Sequence, residues 1–199
     1  MSNLWGLVIA YLLGTLPTGY LLVKRFQGKD IREFGSGNIG ATNVVRAMGP
    51  RFGIVVLAID AAKGFLAVWI AGQISPGSQL WLSAAAVAVM LGNAFPVFLG
   101  FRGGKTFATA FGAFSCLAPA AVAAEIPVFF GTALITRHIS AGSIVVAITF
   151  PLAVWMIIHP GLAVVSAAVA AGALLLWRHR DNIRRLHEGA EHRFEWRKR

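Results

Sequence analysis

The stretch TFATAFGAFSCLAPAAVAAEIPVFFGTALIT, residues 106–136, decides the fold of this chain. It is almost entirely apolar. At 31 residues it is long for one membrane-spanning helix and short for two, because one crossing takes about 20 residues. Pro119 and Pro127 interrupt it, and proline breaks or kinks a helix. The pattern predicts two short crossing helices, 106–118 and 120–136, and a single kinked crossing is the alternative.

The whole chain has the composition of an integral membrane protein. Of its 199 residues 57% are apolar and 13% charged, whereas about 25% of the residues in a soluble domain are charged. Met1-Ser2-Asn3 has no basic residue and no small-residue cleavage site follows, so we expect the first apolar segment to be a retained helix. The single cysteine, Cys116, excludes an internal disulfide and argues against a metal cluster. Seven apolar segments follow one another: 4–23, 53–72, 80–99, 106–118, 120–136, 142–158 and 161–177.

The distribution of Lys and Arg decides between the two topologies. Basic clusters follow the first, third and last apolar segments, Arg137 follows the 106–136 stretch, and the connections at 73–79 and 159–160 have no basic residue. Short loops rich in Lys and Arg stay in the cytoplasm, so every cluster lies on one side only if 106–136 crosses twice. The sequence therefore predicts an all-α integral membrane protein with seven transmembrane helices, the N-terminus outside and the C-terminus cytoplasmic. Seventeen of the 18 basic residues, all but Lys63, are then cytoplasmic. The net charge of +10 follows from this bias and from attraction to anionic headgroups, and we expect no nucleic-acid binding.

The first polar stretch, GSGNIGATNVVR at residues 35–46, has the composition of an oxyanion cradle. Three glycines in six residues let the backbone approach a ligand closely. Arg46 adds a planar fork suited to a phosphate or carboxylate. The stretch also carries short side chains that form hydrogen bonds: Ser36, Asn38, Thr42 and Asn43. The alternative is a Gly/Asn-rich turn between two helices.

The second polar stretch, RGGKT at residues 102–106, stands directly before an apolar segment. It looks like half of a nucleotide-binding loop, but it lacks the earlier glycine and a preceding soluble strand, which excludes that interpretation. The N–H groups at a helix N-terminus attract an anion, and Lys105 adds a full charge. The alternative is that Arg102 and Lys105 only anchor helix ends.

The third polar stretch is RHRDNIRRLHEGAE, residues 178–191, which we expect to continue the last apolar helix along the cytoplasmic surface. Helical spacing places His179, Asn182, Ile183 and Leu186 on one face. His179 can act as a general base near neutral pH, and Asn182 can orient it or the substrate. The alternative is an amphipathic basic helix on anionic headgroups. Four further basic residues are expected to do only that: Arg193, Arg197, Lys198 and Arg199.

Three ionisable residues fall within the apolar segments. Asp60 and Lys63 stand three residues apart, so they can pair on one helix and reduce the cost of their burial. We interpret the pair as support for a site, and a purely structural pair is the alternative. Glu125 falls near the turn between segments 106–118 and 120–136 and is expected to be solvated.

Together these stretches resemble the bacterial acyl-phosphate:glycerol-3-phosphate acyltransferase family (PlsY-type). Residues 36–46 reproduce its first motif, and residues 103–109 its second, with Thr106 where the family usually has glycine. Residues 178–191 match the third. Asn93 stands where the family commonly has histidine, and we assign it no role. Three further spacings fit: Asp60-x-x-Lys63-Gly64, Phe95-Pro96 and Ser140-x-x-Ser143.

The resemblance covers almost the whole chain and implies one membrane-embedded domain over 1–199, with 179–199 as a cytoplasmic surface segment. It implies transfer of a fatty acyl group from acyl phosphate to the 1-hydroxyl of sn-glycerol 3-phosphate. The products are 1-acylglycerol 3-phosphate (lysophosphatidic acid) and phosphate, in the first step of phospholipid synthesis. The expected place is the bacterial cytoplasmic (inner) membrane, as a multi-pass protein with its active site facing the cytoplasm. The expected partners are the two substrates and the lipid bilayer, with no cofactor or metal. A monomer is compatible with the sequence, which leaves the oligomeric state open.

The same resemblance implies the roles of the site residues. The expected catalytic residues are Ser36, His179 and Asn182, with site support from Asp60 and Lys63. The expected substrate-binding residues are Gly35, Gly37, Asn38, Gly40, Thr42, Asn43, Arg46, Gly103, Gly104, Lys105, Thr106, Ser143 and Glu191. Ser36 and the amides of 103–106 are expected to hold the acyl phosphate. The residues expected to hold glycerol 3-phosphate are Arg46, Lys105, Ser143 and Asn182.

We expect direct attack of the hydroxyl on the acyl phosphate, because phosphate leaves a mixed anhydride readily once cations and N–H groups take up its charge. His179 assists removal of the proton, together with the phosphate of the substrate. A covalent intermediate on Ser36 is the alternative. Two rival functions are an organic-phosphate transporter and a lipid-binding scaffold without activity. Transporters place their sites near the bilayer midplane, whereas the ionisable residues here collect at one face, which favours the enzyme.

Overall fold

The computed structural model describes residues 2–193, which form ten α-helices in two compact units. The first unit, residues 1–117, contains α1 Ser2–Gly14, α2 Thr18–Gln27, α3 Ala41–Met48, α4 Pro50–Ile74, α5 Gln79–Ala94 and α6 Phe107–Leu117. The second, residues 118–199, contains α7 Pro119–Thr136, α8 Ile139–Ile158, α9 Leu162–Arg178 and α10 Arg180–His187. The prediction of an all-α protein is confirmed. Headgroup contacts were expected for three residues that lie outside the described part: Arg197, Lys198 and Arg199.

Within residues 2–193, five helical stretches are long and apolar enough to cross a membrane: Asn3–Gln27, Pro50–Ile74, Gln79–Leu99, Pro119–Thr136 and Ile139–Ile158. A sixth arises if α9 and α10, which meet at a bend of 57°, count as one crossing. The apolar helix α6 has 11 residues and is about 16 Å long, roughly half the thickness of a bilayer core. The chain is therefore a multi-pass helical protein by length and composition, and the seven-crossing topology stays a prediction.

The stretch 106–136 forms two helices, as the prolines indicated. α6 ends at Leu117, and α7 begins with Pro119 at its first position, where a missing N–H costs nothing. Pro127 lies inside α7 without ending it. The predicted division into two helices is confirmed, and of the two prolines only Pro119 marks a helix boundary.

Small residues let the helices of the first unit approach closely. A Cβ atom on Gly64 of α4 would overlap the carbonyl oxygen of Thr109 in α6, and one on Gly112 would overlap that of Ala61. Such close backbone contact is the usual means of packing helices in membranes, where lipid offers no hydrophobic drive between them. It holds the start of α6 beside the part of α4 that carries Asp60 and Lys63.

A small apolar core supports the loop before α3. Five buried side chains form it: Val23, Ile31, Ile39, Val44 and Val56. They come from α2, the loop itself, α3 and α4, so the loop is fixed to three helices. The burial of these side chains helps to hold the 35–46 stretch against the rest of the first unit.

In the second unit, α8 packs against α7 and α9. A Cβ atom on Gly172 of α9 would overlap the carbonyl oxygen of Ala147 in α8. The expectation of a solvated Glu125 is wrong. It is the seventh residue of α7, its side chain is 6% exposed, and the Thr149 hydroxyl of α8 lies 2.8 Å from its Oε2. The sequence placed Glu125 near a turn, but its helix has completed more than one turn by that point.

Candidate active site

Asn43 organises the loop that precedes α3. Its side chain is buried, and its Nδ2 donates to the backbone oxygens of Phe34 and Asn38 at 2.9 Å and faces that of Ile31 at 3.3 Å. Its Oδ1 accepts from the N–H of Ser36 at 3.1 Å. The amide was expected to bind substrate. In the structure this amide is hydrogen-bonded to the backbone of the loop, so Asn43 sets the shape of the loop.

The backbone amides of this loop are also used within the protein. The N–H of Gly37 donates to Phe34 at 3.0 Å, and that of Gly40 donates to Asn38 Oδ1 at 2.9 Å. Gly35 has φ +58°, a conformation that glycine adopts without strain, and a Cβ atom there would overlap Asn43 Oδ1. The N–H groups of Gly37 and Gly40 therefore hold the loop in shape, and the exposed side chains of the loop are candidates for contact with a ligand.

Three polar side chains of the loop and of α3 are exposed: Ser36, Thr42 and Arg46. Thr42 and Arg46 stand four residues apart and share one face of α3. The Cδ atom of Arg46 lies 3.8 Å from the position that a Cβ on Gly35 would take, so the arginine runs alongside the residue before Ser36. Two hydroxyls and a guanidinium on one exposed surface suit a phosphate group.

The 102–106 loop lies beside the first one. A Cβ atom on Gly104 would lie 3.7 Å from Ile39 Cγ1. The N–H of Gly103 donates to the backbone oxygen of Ala94 at 3.2 Å, and that of Gly104 donates to Asn93 at 2.9 Å. These two amides were expected to hold a phosphate, but they cap the C-terminus of α5, whose last carbonyls have no partner in the helix. That backbone amides of this loop hold a phosphate stays a prediction for Lys105 and Thr106 alone.

Thr106 has φ +62°, which explains why glycine suits this position in the resembled family. A β-branched residue is strained there. Its side chain is 3% exposed, and within the described part of the chain its hydroxyl has no hydrogen-bond partner. The half-buried Lys105 precedes it, and α6 begins directly after it. Strain of this kind concentrates at functional sites.

A buried polar network lies next to this loop. Lys63 Nζ contacts Asp60 Oδ1 at 2.8 Å, Asn93 Oδ1 at 2.8 Å and the backbone oxygen of Leu16 at 2.9 Å. The Thr18 hydroxyl donates to Asp60 Oδ1 at 3.0 Å. The predicted Asp60–Lys63 pair is confirmed. Sequence reasoning missed Thr18 and gave no role to Asn93. A polar residue at the end of an apolar helix was the one available signal for Asn93.

His179 lies at the bend between α9 and α10. Its side chain is 3% exposed, and Nδ1 lies 2.8 Å from the backbone oxygen of Leu175. A carbonyl oxygen only accepts, so Nδ1 carries a proton, and whenever the ring is neutral its lone pair is on Nε2. The helix was expected to continue past residue 178, and α10 follows α9 directly, at a bend of 57°. Ile183 is 41% exposed and does not share the buried face of His179 and Asn182.

Glu191 gathers three donors in the second unit. Ser140 Oγ and Asn182 Nδ2 donate to its Oε1 at 2.8 and 2.6 Å, and Arg185 Nε donates to its Oε2 at 2.7 Å. Burial raises the pKa of Glu191, but the hydrogen bonds from Arg185, Ser140 and Asn182 outweigh it, and the net pKa is lowered. Glu191 was expected to bind substrate. In the structure its carboxylate accepts a hydrogen bond from Asn182 and holds that amide in place.

The structure thus groups the predicted site residues within each unit. The first unit joins the 35–46 and 102–106 stretches to the Asp60–Lys63 pair, and the second joins Asn182 and Glu191 to Ser140. Ser143, one turn from Ser140, is buried, and its hydroxyl lies 3.3 Å from the backbone oxygen of Ile139. Over residues 2–193, no group of three His, Cys, Asp or Glu side chains is placed to hold a metal ion.

Comparison with known proteins places the chain in a family. Residues 4–189 match the family model described as glycerol-3-phosphate acyltransferase. The glycerol-3-phosphate acyltransferase of Geotalea daltonii is 44% identical, over 94% of each chain. That of Aquifex aeolicus is 40% identical, over 98% of this chain and all of the relative.

Solved structures agree with the sequence comparison. Two crystal structures are of PlsY (YgiH), described as an integral membrane glycerol 3-phosphate acyltransferase, in a glycerol 3-phosphate form and a lysophosphatidic acid form. They superpose with TM-scores of 0.92 and 0.89 at 39% and 38% identity, over 98% of this chain and 96% of theirs. The resemblance drawn from the three polar stretches is therefore confirmed. This chain is a multi-pass membrane enzyme that belongs to the glycerol-3-phosphate acyltransferase family.

Proposed function

We propose that this enzyme transfers a fatty acyl group from acyl phosphate to the 1-hydroxyl of sn-glycerol 3-phosphate, giving lysophosphatidic acid and phosphate. The observation that carries the proposal is the hydrogen bond from His179 Nδ1 to the Leu175 carbonyl. In a neutral ring this hydrogen bond makes Nε2 the basic nitrogen, the group that an attacking alcohol requires. The forms in which the PlsY structures were solved support glycerol 3-phosphate as acceptor and lysophosphatidic acid as product.

The reason for proposing acyl phosphate as the acyl donor is its chemical reactivity. Phosphate is a good leaving group from a mixed anhydride when positive charge stabilises it, so the enzyme needs no covalent intermediate. In the proposed mechanism, Nε2 of His179 takes the proton of the 1-hydroxyl, the hydroxyl oxygen attacks the acyl carbon, and the bond to phosphate breaks. This proposed reaction needs no cofactor.

We assign the phosphate contacts to side chains. Ser36, with the amides of Lys105 and Thr106, holds the acyl phosphate. Glycerol 3-phosphate is held by Arg46, Lys105, Ser143 and Asn182. Asn43 and Glu191 act indirectly in this scheme, because the hydrogen bonds of Asn43 shape the loop of Ser36 and the carboxylate of Glu191 orients the amide of Asn182.

Turnover by the purified protein tests the activity. Enzyme in detergent is given palmitoyl phosphate and radiolabelled glycerol 3-phosphate, and phosphate release and labelled lysophosphatidic acid are measured together. Both products should appear in equal amounts, and palmitoyl-CoA in place of palmitoyl phosphate should give neither. Uptake of glycerol 3-phosphate into proteoliposomes without product formation would support a transporter instead and refute the proposal.

We further propose seven crossings, with the N-terminus outside and the polar stretches facing the cytoplasm of a bacterial inner membrane. The segregation of Lys and Arg supports this topology. Single cysteines at Gln27, Arg137 and Arg193 in a Cys116→Ala background should react with an impermeant maleimide only from the cytoplasmic side. Labelling of position 137 from outside would mean that 106–136 crosses once.

A further inference from the structure

The C-terminus of α5 connects the buried Asp60–Lys63 pair to the 102–106 loop, and the side chain that makes the connection is Asn93. Lys63 Nζ lies 2.8 Å from Asn93 Oδ1, and Asn93 is 6% exposed. An ammonium group only donates hydrogen bonds, so it must face the oxygen of the amide and not the nitrogen. Nδ2 therefore points the other way, and it lies 3.1 Å from the position that a Cβ on Gly104 would take.

The backbone of the same residue holds the same loop. The carbonyl oxygen of Asn93 accepts from the N–H of Gly104 at 2.9 Å, and that of Ala94 accepts from Gly103 at 3.2 Å. A Cβ on Gly103 would overlap the Asn93 oxygen, so the two segments are in direct contact. Lys105 is the next residue of the chain, and its backbone position follows from these contacts.

The other end of the connection is rigid. A lysine ammonium has three N–H donors, and Lys63 faces three acceptors, on Asp60, Asn93 and Leu16. These acceptors belong to α4, α5 and the link between α1 and α2, so three parts of the first unit fix its position. A side chain bound to such a group has little freedom to reorient.

We propose that Asn93 is a positioning residue that fixes the 102–106 loop and thereby sets where Lys105 reaches the phosphate of glycerol 3-phosphate. This rests on the proposed function, in which Lys105 binds that phosphate. Asn93 itself does not touch substrate. Its amide contacts the buried ion pair through Oδ1 and lies against Gly104 of the loop through Nδ2.

A double-mutant cycle between Asn93→Ala and Lys105→Ala tests the proposal. Binding of radiolabelled glycerol 3-phosphate is measured by equilibrium dialysis, which needs no turnover. Asn93→Ala should raise the Kd about tenfold in the wild-type background and less than twofold in the Lys105→Ala background, because its effect passes through Lys105. In turnover, KM for glycerol 3-phosphate should rise about as much, with kcat within about threefold of wild type.

Two further variants complete the test. Ser83→Ala is the matched control, since Ser83 is equally buried on α5 but lies ten residues from Asn93, and it should leave the Kd unchanged. Asn93→His keeps an acceptor for Lys63 and a side chain packed beside Gly104, so its Kd should stay within about threefold of wild type. If Asn93→Ala does not fold, Asn93→Ser in both backgrounds carries the cycle.

An equal rise of the Kd in both backgrounds would overturn the proposal that Asn93 acts through Lys105. A wild-type enzyme that binds glycerol 3-phosphate but forms no product would overturn the proposed reaction alone.

Discussion

Lys63→Met should destabilise the enzyme far more than the loss of an ordinary ion pair. Lys63 and Asp60 are 4% and 8% exposed, so methionine leaves the Asp60 carboxylate buried without its counter-ion. Removing one partner of a buried pair costs about 3–5 kcal/mol. The amide oxygen of Asn93 and the Leu16 carbonyl also lose a donor. We therefore expect a loss of about 4 kcal/mol in the free energy of unfolding.

The double variant Asp60→Asn/Lys63→Met separates charge from packing. It removes both charges and keeps side chains of similar size, so it should regain more than half of the stability that Lys63→Met loses. The assay is unfolding by SDS in mixed micelles, followed by circular dichroism. Arg32→Ala is the control, because the Arg32–Asp30 pair is 34% and 20% exposed and such surface pairs contribute about 0–1 kcal/mol. The reasoning is refuted if Lys63→Met unfolds like wild type, or if the double variant is no more stable than the single one.

Four more predictions concern the site. Thr106→Gly should raise the melting temperature in detergent, because it relieves a strained φ of +62° that costs about 1–3 kcal/mol, and a lower melting temperature would contradict this. Arg46→Ala should lower kcat/KM roughly ten- to a hundredfold, and Arg46→Lys should recover only part of it; full activity of the alanine variant would remove Arg46 from the site. His179→Ala should lower kcat about 10²- to 10⁴-fold with KM near that of wild type, and acyl label recovered on Ser36 after quenching would replace direct transfer by a covalent route. The lowered pKa of Glu191 stabilises the fold above its ordinary value of 4.5, and this stabilisation is lost as pH falls through the lowered pKa, so the melting temperatures of wild type and Glu191→Gln should converge there.

The helices and the main polar stretches were predictable because their signals are local. Apolar length indicates a crossing, and Pro119 marks a helix start by its missing N–H, so the division of 106–136 could be predicted from sequence. The pairing of Asp60 with Lys63 follows from helical spacing alone. Each of these inferences depends on residues that are close in the chain.

The features that sequence reasoning missed depend on partners far along the chain. Asn93 meets a lysine 30 residues away, and Glu125 meets a threonine 24 residues away on the next helix. The amides of Gly103 and Gly104 were expected at a ligand because a Gly-rich stretch does not reveal which backbone groups a neighbouring helix end will use.

The placement of Asp60 and Lys63 one turn apart on the same helix has a consequence for biosynthesis. Each charge alone resists entry into lipid, but the two reach the translocon within one turn of α4 and can neutralise each other as that helix enters. The acceptors on α5 and on the link between α1 and α2 are therefore not needed until the helices assemble. α4 can enter the bilayer as an independent segment, and the same lysine later joins three parts of the unit.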